Sequence, residues 1–494
     1  MLMEAPLAPS LMKRPIHSWL KTIKVAYAPA ETTPLVTRFT AGLMEHFSLL
    51  GHEVHPTPTD DTSMILTTAP FGEALNWRDA LLFVARKKFH LTSSPTIFTI
   101  VPVTETELNK TLAYFEEVLQ KDPPDPEDYE FPGLSPNAYH TLFEQGTRGG
   151  PLMALARLLQ SQTKCIRIIL LVGEDEPEYA YLFDLVGAHP RIEAADPNFF
   201  YTDLILRIVT TLSTREITRH RIVEPSIPYN IWNELSTPRA MQAAAVELGK
   251  RKFFTEMVRI ADLVHVPMVA NTVSSQYSEG CFTTWDPEID ALVTTITGSA
   301  RPVEKDHITE NDLAVIVGVR EDGEGALVRH VHGKVNDPPS SEAVEMMEMD
   351  LQLPRITLSS AWAHPAQVPV IRSKLHGHRG VAAYDPTRVE FVPLDPPYYT
   401  YPVSCATEAQ AQGIVAAFAR SETFRNPDDP RTVAFTVLPG HGIVIAEKWV
   451  AGTQPFQTMY EMMDAGSLRV DNRIPQGPLQ YIAGKNGLLE VQDI

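Results

Sequence analysis

Three short segments in the second half of the chain carry residue types that do chemistry together: Pro339-Ser340-Ser341-Glu342, His376-Gly377-His378 and Pro439-Gly440-His441-Gly442. Histidines two apart project from the same face of a β-strand, because strand side chains alternate with period two. His441, from a distant segment, makes a third imidazole. Three protein ligands with a fourth position open is the layout of a catalytic metal rather than a structural one. Neutral imidazole suits Zn2+, and other divalent metals are compatible with it. A metal held this way polarises a carbonyl as a Lewis acid, and Glu342 is the candidate to move protons beside it. Ser340 and Ser341 also have an ordinary reading, as caps of the helix SEAVEMMEMD. His330-Val331-His332 is a second pair with the same spacing and reads as a chance occurrence in a chain with 16 histidines.

The elements that must position these residues fall into two groups. A chain of 494 residues exceeds one ordinary core, so two or more domains are expected. Residues 1–20 read as a loose leader, 21–220 as an α/β domain, 221–237 as a proline-marked linker and 238–494 as the domain bearing the histidines. In the first domain, strands are expected at 23–27, 52–54, 64–68, 95–103 and 165–172. Helices are expected at 33–50, 75–88, 104–120, 150–161 and 200–214. That alternation predicts a layered, Rossmann-like α/β domain with a largely parallel sheet. The run GEDEPEY at 173–179 reads as an acidic turn and Gly149-Gly150 as a plain loop. No Walker A sequence and no GxGxxG after a strand is present. In the second domain a helix is expected from Pro238 to about Leu263, followed by short strands and turns to about 450.

Composition bounds the partners. The net charge is −19, from 42 basic and 61 acidic residues. An acidic surface repels phosphate backbones, so nucleic acid is not an expected partner. No window approaches a membrane-spanning length of apolar residues, so no membrane partner is expected either. Three scattered cysteines, Cys165, Cys281 and Cys405, form no CxxC, which fits a reducing, cytoplasmic setting.

From about 238 to 450 the chain resembles the class II aldolase/adducin-like family, which includes fuculose-phosphate aldolase and ribulose-phosphate epimerase. The resemblance runs in order. It takes in the helix AMQAAAVELGKRKF, the turn Tyr277–Thr284, Thr297-Gly298-Ser299, Ile308–Ile316, Pro339-Ser340-Ser341-Glu342, Leu375-His376-Gly377-His378, Pro396–Tyr401 and Leu438–Val444. It implies an α/β/α domain with a central, mainly antiparallel sheet and a zinc site on His376, His378 and His441. By the same resemblance Glu342 is the acid/base, Tyr398 a proton donor to the leaving fragment, and Thr297, Gly298, Ser340 and Ser341 a substrate-phosphate pocket. Small hydroxyls and open backbone N–H groups suit such an anion nest. The family's asparagine after Gly280 is Cys281 here, which cannot donate an amide hydrogen bond.

The activity so implied is that of a zinc-dependent aldolase-like lyase in carbohydrate metabolism. It acts on a small hydroxylated carbonyl, sugar or sugar-phosphate-like, through a metal-stabilised enolate. Epimerisation, dehydration and decarboxylation use the same site, and the adducin branch keeps the fold as a non-catalytic binding or scaffold protein. Family members commonly assemble as tetramers, so a homo-oligomer is expected by similarity.

Overall fold

The computed structural model describes residues 21–29, 32–71, 95–120, 152, 155, 167–183, 191–213, 217–251, 253, 280–297, 305–358, 365–377, 380–395, 406–438, 442–471 and 481–491. The protein is a mixed α/β molecule with several sheets.

The first sheet is built from β1 (Lys24–Tyr27), β2 (Glu53–His55), β3 (Met64–Thr68), β4 (Thr96–Val103), β5 (Ile168–Gly173), β6 (Pro177–Phe183) and β7 (Ile192–Glu193), in the order β2-β1-β3-β4-β5-β6-β7. β2, β1, β3, β4 and β5 run parallel, and β6 and β7 are antiparallel additions. α1 (Pro34–Leu49) follows β1, α2 (Glu105–Gln120) follows β4 and α3 (Pro197–Ser213) follows β7. α1 starts where Thr33 accepts a hydrogen bond from the Val36 N–H and Pro34 occupies the first turn, the preferred place for a residue without its own N–H. It stops at Gly51, whose φ of 85° suits a residue without Cβ. α2 opens with a capping box: the Thr104 hydroxyl accepts from the Glu107 N–H while Glu107 accepts from the Thr104 N–H. Phe39, Leu43 and Phe47 of α1 and Phe200, Leu204 and Ile208 of α3 bury one face of this sheet.

Expected and observed elements agree here to within three residues where the apolar periodicity is strong. The run 173–179 differs. Only 174–176 turns, and Pro177 opens β6. The expected helices at 75–88 and 150–161 lie largely or wholly outside the described residues, as does Gly149-Gly150.

The second sheet has nine strands. In chain order they are β8 (Arg221–Ile227), β9 (Cys281–Asp286), β10 (Ala291–Thr295), β11 (Leu313–Val319), β12 (Ala326–Val331), β15 (Ile371–Gly377), β17 (Val389–Phe391), β18 (Val433–Leu438) and β19 (Gly442–Lys448). β13 (Arg355–Leu358) and β14 (Ala366–Pro369) form a separate hairpin, and β16 (Gly380–Tyr384) belongs to a small four-stranded sheet. The nine-stranded order is β17-β18-β19-β15-β9-β10-β11-β12-β8. Its pairings are antiparallel except β12 with β8 and β17 with β18. Residues 221–227, inside the expected linker, are thus an edge strand. Pro225 hid this in the sequence, since proline fits a strand only at an edge or a bulge.

Helices cover both faces. α4 (Tyr229–Glu234) and α5 (Thr237–Lys250) come before β9. α6 (Ala343–Gln352) precedes β13, α7 (Glu408–Phe418) and α8 (Glu422–Arg425) precede β18, and α9 (Gln457–Asp464) follows β19. Met241 and Leu248 of α5 and Met459 of α9 pack with Phe282, Leu375, Phe435 and Ile445. Met346, Met347 and Met349 of α6 and Ile414 of α7 pack with Leu292, Val444 and Ala446 on the other face.

Candidate functional site

β15 reads IRSKLHG, with Lys374 and His376 on one face and Ser373 and Leu375 on the other. In an antiparallel sheet such a pattern usually sets the polar side toward water. Here the polar side lies under α6. Leu375 joins the core beneath α5 and α9, whereas Lys374 and His376 point to the opposite face and are fully buried. Cross-strand register then places His376 beside Cys281 of β9 and Val444 of β19, and Lys374 beside Thr283 and Ala446.

His376 sits at the end of the sheet where β15, β10 and β18 finish and β9 and β19 begin. Its Nδ1 lies 2.9 Å from the carbonyl oxygen of Ile443. A carbonyl only accepts, so Nδ1 carries the proton and Nε2 the lone pair. That is the tautomer a metal-ligating histidine needs, held by a backbone partner behind the ring. Gly280, next to Cys281, has a φ of 74°, and a Cβ there would stand 2.5 Å from the His376 carbonyl oxygen. Glycine is therefore required for the close approach at this point.

The Pro-Ser-Ser-Glu segment meets the same sheet end. Ser340 N–H donates to the Thr295 carbonyl and Thr297 N–H to the Pro338 carbonyl, both at 2.9 Å, and Ile296 bridges to Pro339. Thr297, Ser340, Ser341 and Glu342 are thus one neighbourhood. The Ser340 hydroxyl donates to Glu342 Oε2 at 2.7 Å and the Ser341 hydroxyl at 3.3 Å. The expected capping role is not what these serines do. The N-cap position of α6 is Glu342 itself, with no side-chain cap bond, and the hydroxyls orient its carboxylate instead. Ser340 also interacts with the Cys281 thiol.

Around Glu342 and His376 lies a set of buried ionisable groups, to which sequence reasoning gave no site role except for Cys281 beside Gly280. Cys281, Lys305, Glu345, Asp350 and Lys374 are all fully buried. Lys305 Nζ donates to the Gly280 carbonyl. Lys374 Nζ donates to Asp350 Oδ1 at 2.5 Å. Burial pushes the Cys281 thiol well above its ordinary range; Glu342 pushes the same way and Lys305 opposes. Burial, then the Glu342 charge, holds Glu345 well above the carboxylate range, against donation from Gln410 of α7 (3.1 Å) and the Ala406 backbone. Burial raises Asp350 to about 6 and lowers Lys374, each opposed by the other's charge. Asp350 had no expected role; it anchors the pair beneath β15.

Of the expected site residues, Glu342, Thr297, Ser340, Ser341 and His376 come together. His378, His441, Tyr398 and Gly298 lie outside the described residues. Leu438 and Gly442, which flank residues 439–441, pair with each other at this sheet end. Among the described residues no group of three His, Cys, Asp or Glu side chains is arranged to hold a metal ion. His330 lies within β12, at the far side of the sheet from β15.

Compared with known proteins, the chain matches no family model and no curated protein.

Proposed function

We propose that this sheet end is the active site of a zinc-dependent aldolase-like lyase acting on a small hydroxylated carbonyl compound, in a domain of class II aldolase/adducin-like architecture. The observation that carries the reading is the meeting of His376, in the tautomer a metal needs, with Glu342, Thr297, Ser340 and Ser341. These residues come from segments up to about eighty positions apart in sequence, and all lie where β15 ends and α6 begins. Zn2+ held by His376, with His378 and His441 as the proposed further ligands, supplies Lewis acidity toward the substrate carbonyl.

The remaining work belongs to the chain. Glu342, aimed by two serine hydroxyls, takes and returns the proton that aldol cleavage moves. Tyr398 is the proposed donor to the leaving fragment. Thr297 and Ser341, both half-buried, offer hydroxyls to the substrate's polar end. Cys281, buried and neutral, sets no charge beside the site. This favours recognition of a polar end by hydroxyls and backbone N–H groups. We further propose a cytoplasmic homo-oligomer; among the described residues no helix is long and apolar enough to cross a membrane.

Two measurements test the reading. Metal analysis of the purified protein is expected to find stoichiometric zinc, lost in His376→Ala. Zinc-loaded protein is expected to release aldehyde from ketose phosphates or unphosphorylated hydroxy-ketones. Metal content unchanged in His376→Ala, or no carbonyl product from either class, overturns it.

A further inference from the structure

The first sheet has a site of its own. Its parallel strands run in the order β2-β1-β3-β4-β5. The connection through α1 leads from β1 to β2, while the chain from β3 onward proceeds the other way. Neighbouring strands β1 and β3 therefore send their connections in opposite directions. A crevice opens beyond the carboxyl ends of such strands, where α/β sheets bind ligands. There the structure has a cavity of about 350 Å3, within the size range of small-molecule sites. It is lined by residues at or just beyond the ends of β1, β3, β4 and β5: the first turn of α1, Thr68–Phe71, Pro102–Thr104 with Glu107, and Gly173-Glu174.

The lining defines the chemistry. Val36, Pro70 and Phe71 give an apolar wall suited to a flat body. Among the described lining residues there is no basic side chain, while Glu107 and Glu174 present carboxylates. The helix starts are partly satisfied by their own caps. Pro34 has no N–H, and the Val36 and Thr37 N–H groups are taken by Thr33. On α2, Thr104 takes the Glu107 and Leu108 N–H groups. Phosphate binding at a helix start is usually helped by a nearby cation; among the described lining residues there is none, and the two carboxylates repel an anion. Glu174, and the oxygen of Glu107 that Thr104 does not hold, can accept N–H or O–H donors from a ligand.

We propose that this cavity binds an uncharged, unphosphorylated heteroaromatic compound carrying N–H or O–H donors, of the nucleoside class. It is a second small-molecule site, independent of the one at Glu342 and His376. The test is calorimetric titration of the full chain with adenosine, thymidine and nicotinamide, against adenosine and thymidine monophosphates. At least one neutral probe is expected to bind at millimolar concentration or better, with its monophosphate weaker by about tenfold, or about 1.4 kcal/mol. Pro70→Trp, which fills the cavity, is expected to abolish binding with the thermal unfolding midpoint unchanged. Glu174→Trp, at an exposed position, blocks the mouth without touching the core and serves if the first variant fails to fold. Binding of no neutral probe, a monophosphate binding as well as its nucleoside, or binding that survives both folded variants would overturn the proposal.

Discussion

At the scale of single residues, the site is organised by groups that cannot choose their charge freely. Glu342 takes two hydroxyl donors within 3.3 Å. Glu342→Gln keeps the shape and removes the proposed base. Turnover is expected to fall by about two to four orders of magnitude with zinc content unchanged, measured by product release beside metal analysis. Glu348, one turn beyond Glu345 and 4% exposed, is pushed up to about 7, chiefly by burial and secondarily by Glu408, with Gln352 opposing. A carboxyl raised on folding stabilises the protein fully below its unfolded value near 4.5. That contribution is lost as pH rises through about 7. The shift corresponds to roughly 3 kcal/mol. Unfolding free energy is therefore expected to fall between about pH 4.5 and 7, and Glu348→Gln to remove its own share of that slope, the part due to Glu345 and Asp350 remaining, as read by denaturant titration across pH.

At the scale of elements, β15 and α6 hold one another through charge. The Lys374–Asp350 pair is fully buried. Such pairs add little against a well-packed apolar replacement, but breaking one leaves an unpaired charge. Lys374→Ala is expected to cost about 3–5 kcal/mol, and the double change Lys374→Met with Asp350→Leu to recover most of it. Equal loss in both variants, measured by chemical unfolding, would contradict this account. Gly280→Ala forces a positive φ on a residue with a Cβ and sets that Cβ against the His376 carbonyl. A loss of about 1–3 kcal/mol is expected, with zinc affinity falling as His376 shifts. This scale also explains what the sequence could convey. β1, α1, β3, β4, α2, β5 and α3 were legible because their caps and apolar spacing are local. Glu342 and His376 were singled out by motif order, and both lie at one sheet end. Lys374, Glu345, Asp350 and Lys305 were not, because a charged residue reads as solvent-facing until a distant partner is known. Only the fold puts Asp350 over Lys374.

At the scale of the molecule, the protein has two main sheets and separate apolar cores: one beneath α1 and α3, the others on the two faces of the nine-stranded sheet. Cooperative units follow cores, and chains built this way depart from a single all-or-none transition. Differential scanning calorimetry is expected to resolve two transitions. A nucleoside probe should raise the one belonging to the parallel sheet, while zinc raises the other. One transition moved equally by both additions would show that the cores melt as a unit. The net charge of −19 also predicts no measurable salt-dependent affinity for duplex DNA.

The place of β15 between β9 and β19 has a consequence for how the protein is made. β9 and β10 can pair as soon as they emerge from the ribosome, but the strand that covers β9's other edge is translated roughly ninety residues later. At about 5–20 residues per second, the nascent chain carries an open strand edge for some 5–20 s. Open edges recruit other strands. A growing chain of this protein is therefore a natural client for chaperones, and its histidine-bearing sheet end cannot close until β19 has also been synthesised.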